Sequence, residues 1–254
     1  MSLTRPSSRR PRGSLGRPGT GPQPDTPTAV DGAGDAQLTR DGIALETTRS
    51  DGADGRLLLI ACGALAREAL AVLRANALEH VTLTCLPALL HNRPDSITDA
   101  VRQRIREGRA AGFRQIFVLY GDCGTGGALD RMLEVEGVER LPGAHCYAFY
   151  EGIETFAAHA ETEIGAFYLT DFLARQFDAL VWRGLGLDRH PDLREMYFGH
   201  YDRIVYLAQT DDPRLSEMAD AAGRRLDLPV ERRLTGYGAL GIEIRRQATL
   251  SRPT

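Results

Sequence analysis

Residues 115–133, QIFVLYGDCGTGGALDRML, constrain the fold more than any other stretch of the chain. Residues 116–120 form an apolar run that reads as a buried strand. The turn that follows holds Gly121, Asp122, Cys123, Gly124, Thr125, Gly126 and Gly127, and a helix is expected to open near Ala128. An α/β protein usually places its chemistry where a strand empties into such a turn. Four glycines in seven residues permit positive φ and close backbone approach. Cys123 is expected at the helix N-terminus, where the dipole favours a thiolate. The turn can bind an anion, hold a metal or carry a reactive thiol.

The rest of the chain repeats this grammar. Residues 56–61 (RLLLIA), 81–86 (VTLTCL), 204–207 (IVYL) and 230–234 read as further strands, and 139–141 as a short one. Helical spacing covers 64–76, a segment from Asp95 or Ser96 to about Ala111, 128–134, 147–160, 163–175, 178–185, 189–198 and 214–226. Strands alternating with helices predict an α/β fold, a mostly parallel sheet with helices on both faces. The segments LLLIACGALARE, IFVLYGDCGTGGALD and IVYLAQTDDPRLSE echo one another, which leaves divergent internal repeats open. Each turn falls at the C-terminal end of its strand, so Cys62, Cys123 and residues 209–212 can converge on one edge.

Of the 254 residues, 1–55 are rich in Pro, Gly, Ser, Thr, Asp and Arg and are expected to be a disordered tail. Residues 56–244 are expected to form one α/β domain and 245–254 a frayed end. That leaves roughly 200 residues, enough for one sizeable core. The net charge of −3 gives no electrostatic case for nucleic acid. No run approaches the ~20 apolar residues of a membrane span, and no apolar segment follows Arg9-Arg10 to make an export signal. A cytoplasmic location is expected. All 31 basic residues are arginine, which excludes a Schiff-base lysine and a P-loop lysine.

The four cysteines are therefore read as reduced thiols. Cys85 alternates with Val81 and Leu83 and reads as core. Cys62 closes the first strand, Cys123 lies in the glycine turn, and His145-Cys146 lies in a Pro-Gly loop. Neighbouring parallel strands are roughly 5 Å apart, so these groups can meet. Cys62, Cys123 and Cys146 with His91 or His145 suit tetrahedral zinc. The same three cysteines could hold an iron–sulfur cluster with one iron open to substrate. Alternatively, Cys123 is a catalytic thiol with His145 as its base. Gly121, Gly124, Gly126 and Gly127 are candidate cofactor-binding positions, although GDCGTGG matches neither the dinucleotide fingerprint nor the Walker pattern. Tyr237, between two glycines, could stack on a planar ligand. Asp122, Asp130, Glu151, Asp171 and Asp211 read as caps or hydrogen-bond partners, and Phe167 and Phe172 as core.

CGAL (62–65), LHNRP (90–94), YGDCGTGG (120–127), HCY (145–147), FYLTDFL (167–173), YLAQT (206–210) and TGYG (235–238) together resemble the bacterial and archaeal family called domain of unknown function 1638. The resemblance covers about residues 57–240. It carries no agreed activity. It implies a setting, because such proteins are often encoded beside corrinoid proteins and trimethylamine-methyltransferase-like enzymes. The expectation is a zinc-dependent methyltransferase-like enzyme in corrinoid-dependent one-carbon transfer from methylated amines, with a small-molecule substrate and a corrinoid protein and a methyltransferase as partners. The alternative is a non-catalytic protein that handles a corrinoid or a metal.

Overall fold

The computed structural model describes residues 34–45, 56–160 and 162–251. The helices and strands in chain order are α1 (Asp35–Arg40), β1 (Leu57–Cys62), α2 (Ala66–Ala75), β2 (Val81–Leu86), α3 (Ile97–Ala110), β3 (Gln115–Leu119), α4 (Ala128–Glu136) and β4 (Glu139–Arg140). They continue with α5 (Tyr147–Glu151), α6 (Ile153–Ala160), β5 (Ala166–Thr170), α7 (Asp171–Arg175), α8 (Leu193–Phe198), β6 (Arg203–Ala208), α9 (Pro213–Leu226), β7 (Val230–Leu234) and α10 (Gly238–Leu250).

The fold is α/β, as the alternation predicts, but its strands divide between two parallel sheets. One has the order β2-β1-β3-β4 and the other β5-β6-β7. β1 is central, paired with β2 and β3. It is buried along its length, which is why its sequence is a continuous apolar run rather than an alternating one. β7 is an edge strand, and VERRL is accordingly half exposed. α10 returns from the second sheet to pack beside the first. Its Leu240, Ile244 and Ala248 join one core with Leu57 and Leu59 of β1, Ala69 and Val72 of α2, Phe149 of α5 and Phe172 of α7. That shared core ties the two sheets together.

Several expectations need correction. Residues 163–175, expected as one helix, split into β5 and α7. AFYLT sits in register with β6 from Ala166↔Arg203 to Thr170↔Leu207, and this pairing outweighs the helical spacing of its aromatic residues. The helix expected over 147–160 breaks at Gly152, φ 101°. The helix expected from 189 begins at Leu193. Within the stretch expected to be disordered, residues 34–45 are placed. Leu38 is buried, Ile43 bridges to Cys85, and Asp35 pairs with Arg67 of α2 and Arg175 of α7. Residues 245–250, expected to fray, are the last turns of α10. The expectations for 1–33, 46–55 and 252–254 lie outside the described residues.

Candidate functional site: a thiol-lined cavity between two strand ends

The register of the first sheet builds the site. Ala61 pairs with Leu119, so the next residues, Cys62 and Tyr120, emerge side by side. The turn after Tyr120 is held by its own acid. The Asp122 carboxylate accepts from the Thr125 hydroxyl (2.7 Å), the Gly126 N–H (3.1 Å) and the Gly127 N–H (2.8 Å). These N–H groups, candidates for an anion, are thus already engaged. Asp122 is held below the usual carboxylate range by these bonds and by Arg140, which together outweigh its partial desolvation.

The loop carrying His145 and Cys146 is strapped to the same turn. Asp122 N–H donates to Gly143 C=O (2.9 Å) and Cys123 N–H to Ala144 C=O (2.8 Å). Arg140 braces the loop through the Leu141 and Gly143 carbonyls while pairing with Asp130. Gly121 is required by this approach, because a Cβ there would lie 2.9 Å from the His145 carbonyl carbon. Cys123 itself adopts φ 49°, a left-handed conformation that costs a non-glycine residue roughly 1–2 kcal/mol. The strapped loop brings the Cys146 thiol beside the Cys123 sulfur.

Cys62, Cys123, Cys146, Tyr120, Gly121 and His91 line one cavity of about 230 Å³. The opposite wall comes from the second half of the chain, with Phe167, Phe172, Leu173, Leu180, Val181 and Phe198. Asn92 donates to the Leu180 carbonyl (3.1 Å) and pins the two walls to each other. No Asp, Glu or Arg is among the lining residues.

The cysteines ionise differently in this setting. The Cys146 S–H, the largest influence on Cys123, lowers its pKa against the effect of burial. Cys146 is pushed well up, first by that same hydrogen bond and then by burial. The pair therefore ionises at Cys123. Burial raises Cys62 to about 11. His91 is lowered by burial and then by the proximity of His145, and burial also lowers His145. Both are neutral imidazoles at neutral pH.

The expected thiolate cause is corrected here. α4 begins at Ala128, five residues after Cys123, so Cys123 is not at that helix N-terminus; its pKa is lowered first by the Cys146 thiol and also by the backbone N–H groups of Cys146 and Gly121. The fold does bring together Cys62, Cys123, Cys146, His91 and Gly121. His145 is not among the lining residues; its Nδ1 is buried without a partner. Gly124 faces Pro94. Gly126 and Gly127 lie in the Asp122 turn, and Tyr237, which precedes α10, is not among the lining residues. Cys85 is core, fully buried. Phe172 is core as expected, whereas Phe167 is only partly buried and packs edge-on to Phe198. Among the described residues, no three His, Cys, Asp or Glu side chains are arranged, as they stand, to hold a metal ion.

Sequence reasoning missed Tyr120 and the far wall. Tyr120 is buried and its hydroxyl lacks a well-formed hydrogen bond, although the Cys62 thiol lies beside it. Its position at the mouth of the glycine turn was a usable signal. Leu180, Val181 and Phe198 carry none, because only the packing of the second sheet brings them to the cysteines.

The family model described as "Protein of unknown function (DUF1638)" matches residues 85–241. The chain belongs to this family. The match includes His91, Cys123, His145, Cys146 and Tyr237 and begins after Cys62. No curated protein and no solved structure matches the chain. Among the described residues, no helix is long and apolar enough to cross a membrane.

Proposed function

We propose that this cavity is a zinc–thiolate site serving one-carbon methyl transfer. One observation carries the reading: three cysteines far apart in sequence end on the wall of one cavity that has no Asp, Glu or Arg in its lining. Soft thiols with an imidazole are a donor set suited to zinc. Cys62, Cys123 and Cys146 would be the ligands, with His91 or His145 as a fourth ligand or as acid/base; methyl transfer would need the fourth position open to the accepting thiol. Side chains lining the cavity would have to move to close the set, since no three of them are placed to hold a metal as they stand. Bound zinc would lower the pKa of a thiol and stabilise the thiolate that accepts a methyl group. The chain's own part is to exclude water with its aromatic wall and to hold Cys123 against Cys146. The same three thiols would alternatively hold an iron–sulfur cluster. The proposed setting is cytoplasmic and reducing, with a corrinoid protein and a methyltransferase as partners. A corrin ring is much larger than this cavity, so a corrinoid would present its methyl group across the mouth. A non-catalytic handling role for a corrinoid or metal is the counterpart reading.

Metal analysis of the purified protein tests the site. About one zinc per chain, lost in Cys123→Ser and Cys146→Ser, supports it, and the absence of both zinc and iron sinks both metal readings. Methyl transfer from methylcob(III)alamin to a small thiol separates enzyme from handler.

The lowered pKa of Cys123 favours a second reading, a metal-free nucleophilic thiol. Its proton partner would then be Cys146 rather than His145. Iodoacetamide labelling that titrates at Cys123 below the ordinary thiol range in metal-free protein would support this reading.

A further inference from the structure

Three cysteines share one cavity wall, but the backbone does not hold them alike. Cys62 follows Ala61, which pairs with Leu119, so it leaves its strand beside Tyr120. Cys85 is fully buried in β2 and lies outside the cavity lining. Cys123 and Cys146 come from two segments that are bonded to each other. The Asp122 and Cys123 N–H groups donate to the Gly143 and Ala144 carbonyls at 2.9 and 2.8 Å. An added Cβ at Gly121 would lie 2.9 Å from the His145 carbonyl carbon. Segments in such contact bring facing residues into the range of roughly 4.4–6.8 Å between Cα atoms that a disulfide spans. The Cys146 thiol does lie beside the Cys123 sulfur. Residues 141–146 between β4 and α5 have no regular structure, so this loop can take up the adjustment that bond formation requires.

We propose that Cys123 and Cys146 are a redox pair that a hydroperoxide closes into a disulfide, leaving Cys62 as a free thiol in the same cavity. One thiolate of the pair attacks a peroxide oxygen; the O–O bond breaks, and hydroxide leaves and is protonated to water. The other thiolate attacks the resulting sulfenic sulfur; the S–O bond breaks, and a second water leaves. The thiol pair gives up two electrons and hydrogen peroxide is reduced to two waters. Hydrogen peroxide is small enough to enter a cavity of about 230 Å³. In the reducing setting proposed above, such a disulfide is a transient, redox-active bond and not a structural one. A metal-ligating sulfur must be a thiolate, so closure withdraws two of the three proposed ligands. That consequence rests on the zinc reading; the disulfide itself does not.

Peroxide treatment of the purified chain after stripping with a chelator, followed by alkylation and mass spectrometry of tryptic peptides, tests the pair. The sequence supplies an internal control, because Cys62 to Cys85 and Cys123 to Cys146 are equal lengths of chain. Loop closure in the urea-unfolded chain therefore favours the two links about equally. In the folded chain the 123–146 link is expected in at least about tenfold excess over any other, with two of the four thiols lost and restored by dithiothreitol. A folded chain with the same ratio of links as in urea overturns the proposal, as do sulfinic and sulfonic acids without a link. Cys62→Ser is expected to leave the yield of the link unchanged, and a link that fails without Cys62 overturns the assignment to this pair. Should that variant not fold, the folded and unfolded native chains still decide. The link in a protein that never held metal retains this proposal while the zinc reading fails. One zinc per chain as purified, with no link after stripping, sinks this proposal alone.

Discussion

The two sheets end in the same grammar and put it to opposite use. At the end of β5 and β6, Asp171 is 1 % exposed, and its carboxylate accepts four hydrogen bonds. They come from the Tyr206 hydroxyl (2.7 Å), the Gln209 N–H (3.1 Å), the Thr210 N–H (3.0 Å) and the Thr210 hydroxyl (2.7 Å). The Gln209 side chain closes the set by accepting from the Asp171 N–H. At the end of β1 and β3, the turn acid Asp122 is satisfied, but the groups facing inward are not. Tyr120 lacks a well-formed partner, and three thiols line open space. A closed network specifies structure, whereas buried polar groups left open mark the place where a ligand is expected. The difference separates a brace from the end we propose as a site.

The largest effect should come from breaking the brace. Asp171→Ala strands two buried donors, the Tyr206 hydroxyl and the Gln209 N–H, and frees two more on exposed Thr210 that water can reach; each buried group left unmade costs about 1–3 kcal/mol. Allowing for relaxation, a loss of about 4 kcal/mol is expected in urea denaturation. A loss below about 1 kcal/mol would show that the second strand end is not a brace.

Next comes a group buried behind both ends. Glu68 of α2 is nearly inaccessible, and its Oε2, the Tyr150 hydroxyl and Arg175 Nη2 all lack partners. Burial raises the Glu68 pKa to about 7, against lowering by Arg175 and Arg67 and with a further rise from Asp171. Its ordinary value is 4.5, so between these values the folded state binds more protons than the unfolded state. Stability is then full below 4.5, falls as pH rises through 7, and levels off above. The loss is up to about 3 kcal/mol. Glu68→Gln should flatten that stretch of the stability profile; an unchanged slope would place the proton elsewhere.

The legibility of the chain follows the same division. β1, β2, β3, β6 and α9 could be read from local pattern because each lies in a core whose burial matches its own periodicity. β5 could not, because AFYLT becomes a strand only through pairing with β6. α1 and the whole of α10 were lost to composition, although Leu38, Leu240, Ile244 and Ala248 are core residues. On the site, strand-end logic was enough to bring Cys62 and Cys123 to one edge, and Cys146 followed from its Pro-Gly loop. The charge-free far wall depends on the second sheet facing the first, which no local pattern encodes. The role of Asp122 as the occupant of its own glycine turn was likewise hidden, since a carboxylate beside glycines reads equally as a cap or as a ligand.

A smaller effect tests how the first strand end is held. Asp122→Ala frees the Thr125 hydroxyl and two N–H groups, but the turn is partly exposed and water can replace the acid. A cost of about 1–2 kcal/mol is expected in thermal unfolding. A cost matching that of Asp171→Ala would erase the distinction between the two turns.

The smallest stability effect should fall on the site itself. Cys123 lies beside the Cys146 thiol but holds no network of donors, so Cys123→Ala should change stability by less than about 1 kcal/mol. Chemistry should move instead. In the native chain the pH midpoint of Cys123 alkylation is expected below the ordinary thiol value of 9.0, because the Cys146 thiol stabilises the anion. Cys146→Ala removes the largest lowering influence and leaves burial opposed only by the backbone N–H groups of residues 146 and 121, so the midpoint should shift upward and labelling at neutral pH should slow. A midpoint indifferent to Cys146 would mean that the two sulfurs do not share a proton. A large loss of stability in Cys123→Ala would mean that the thiol braces the fold, and the contrast between the two strand ends would fail at its most exposed point.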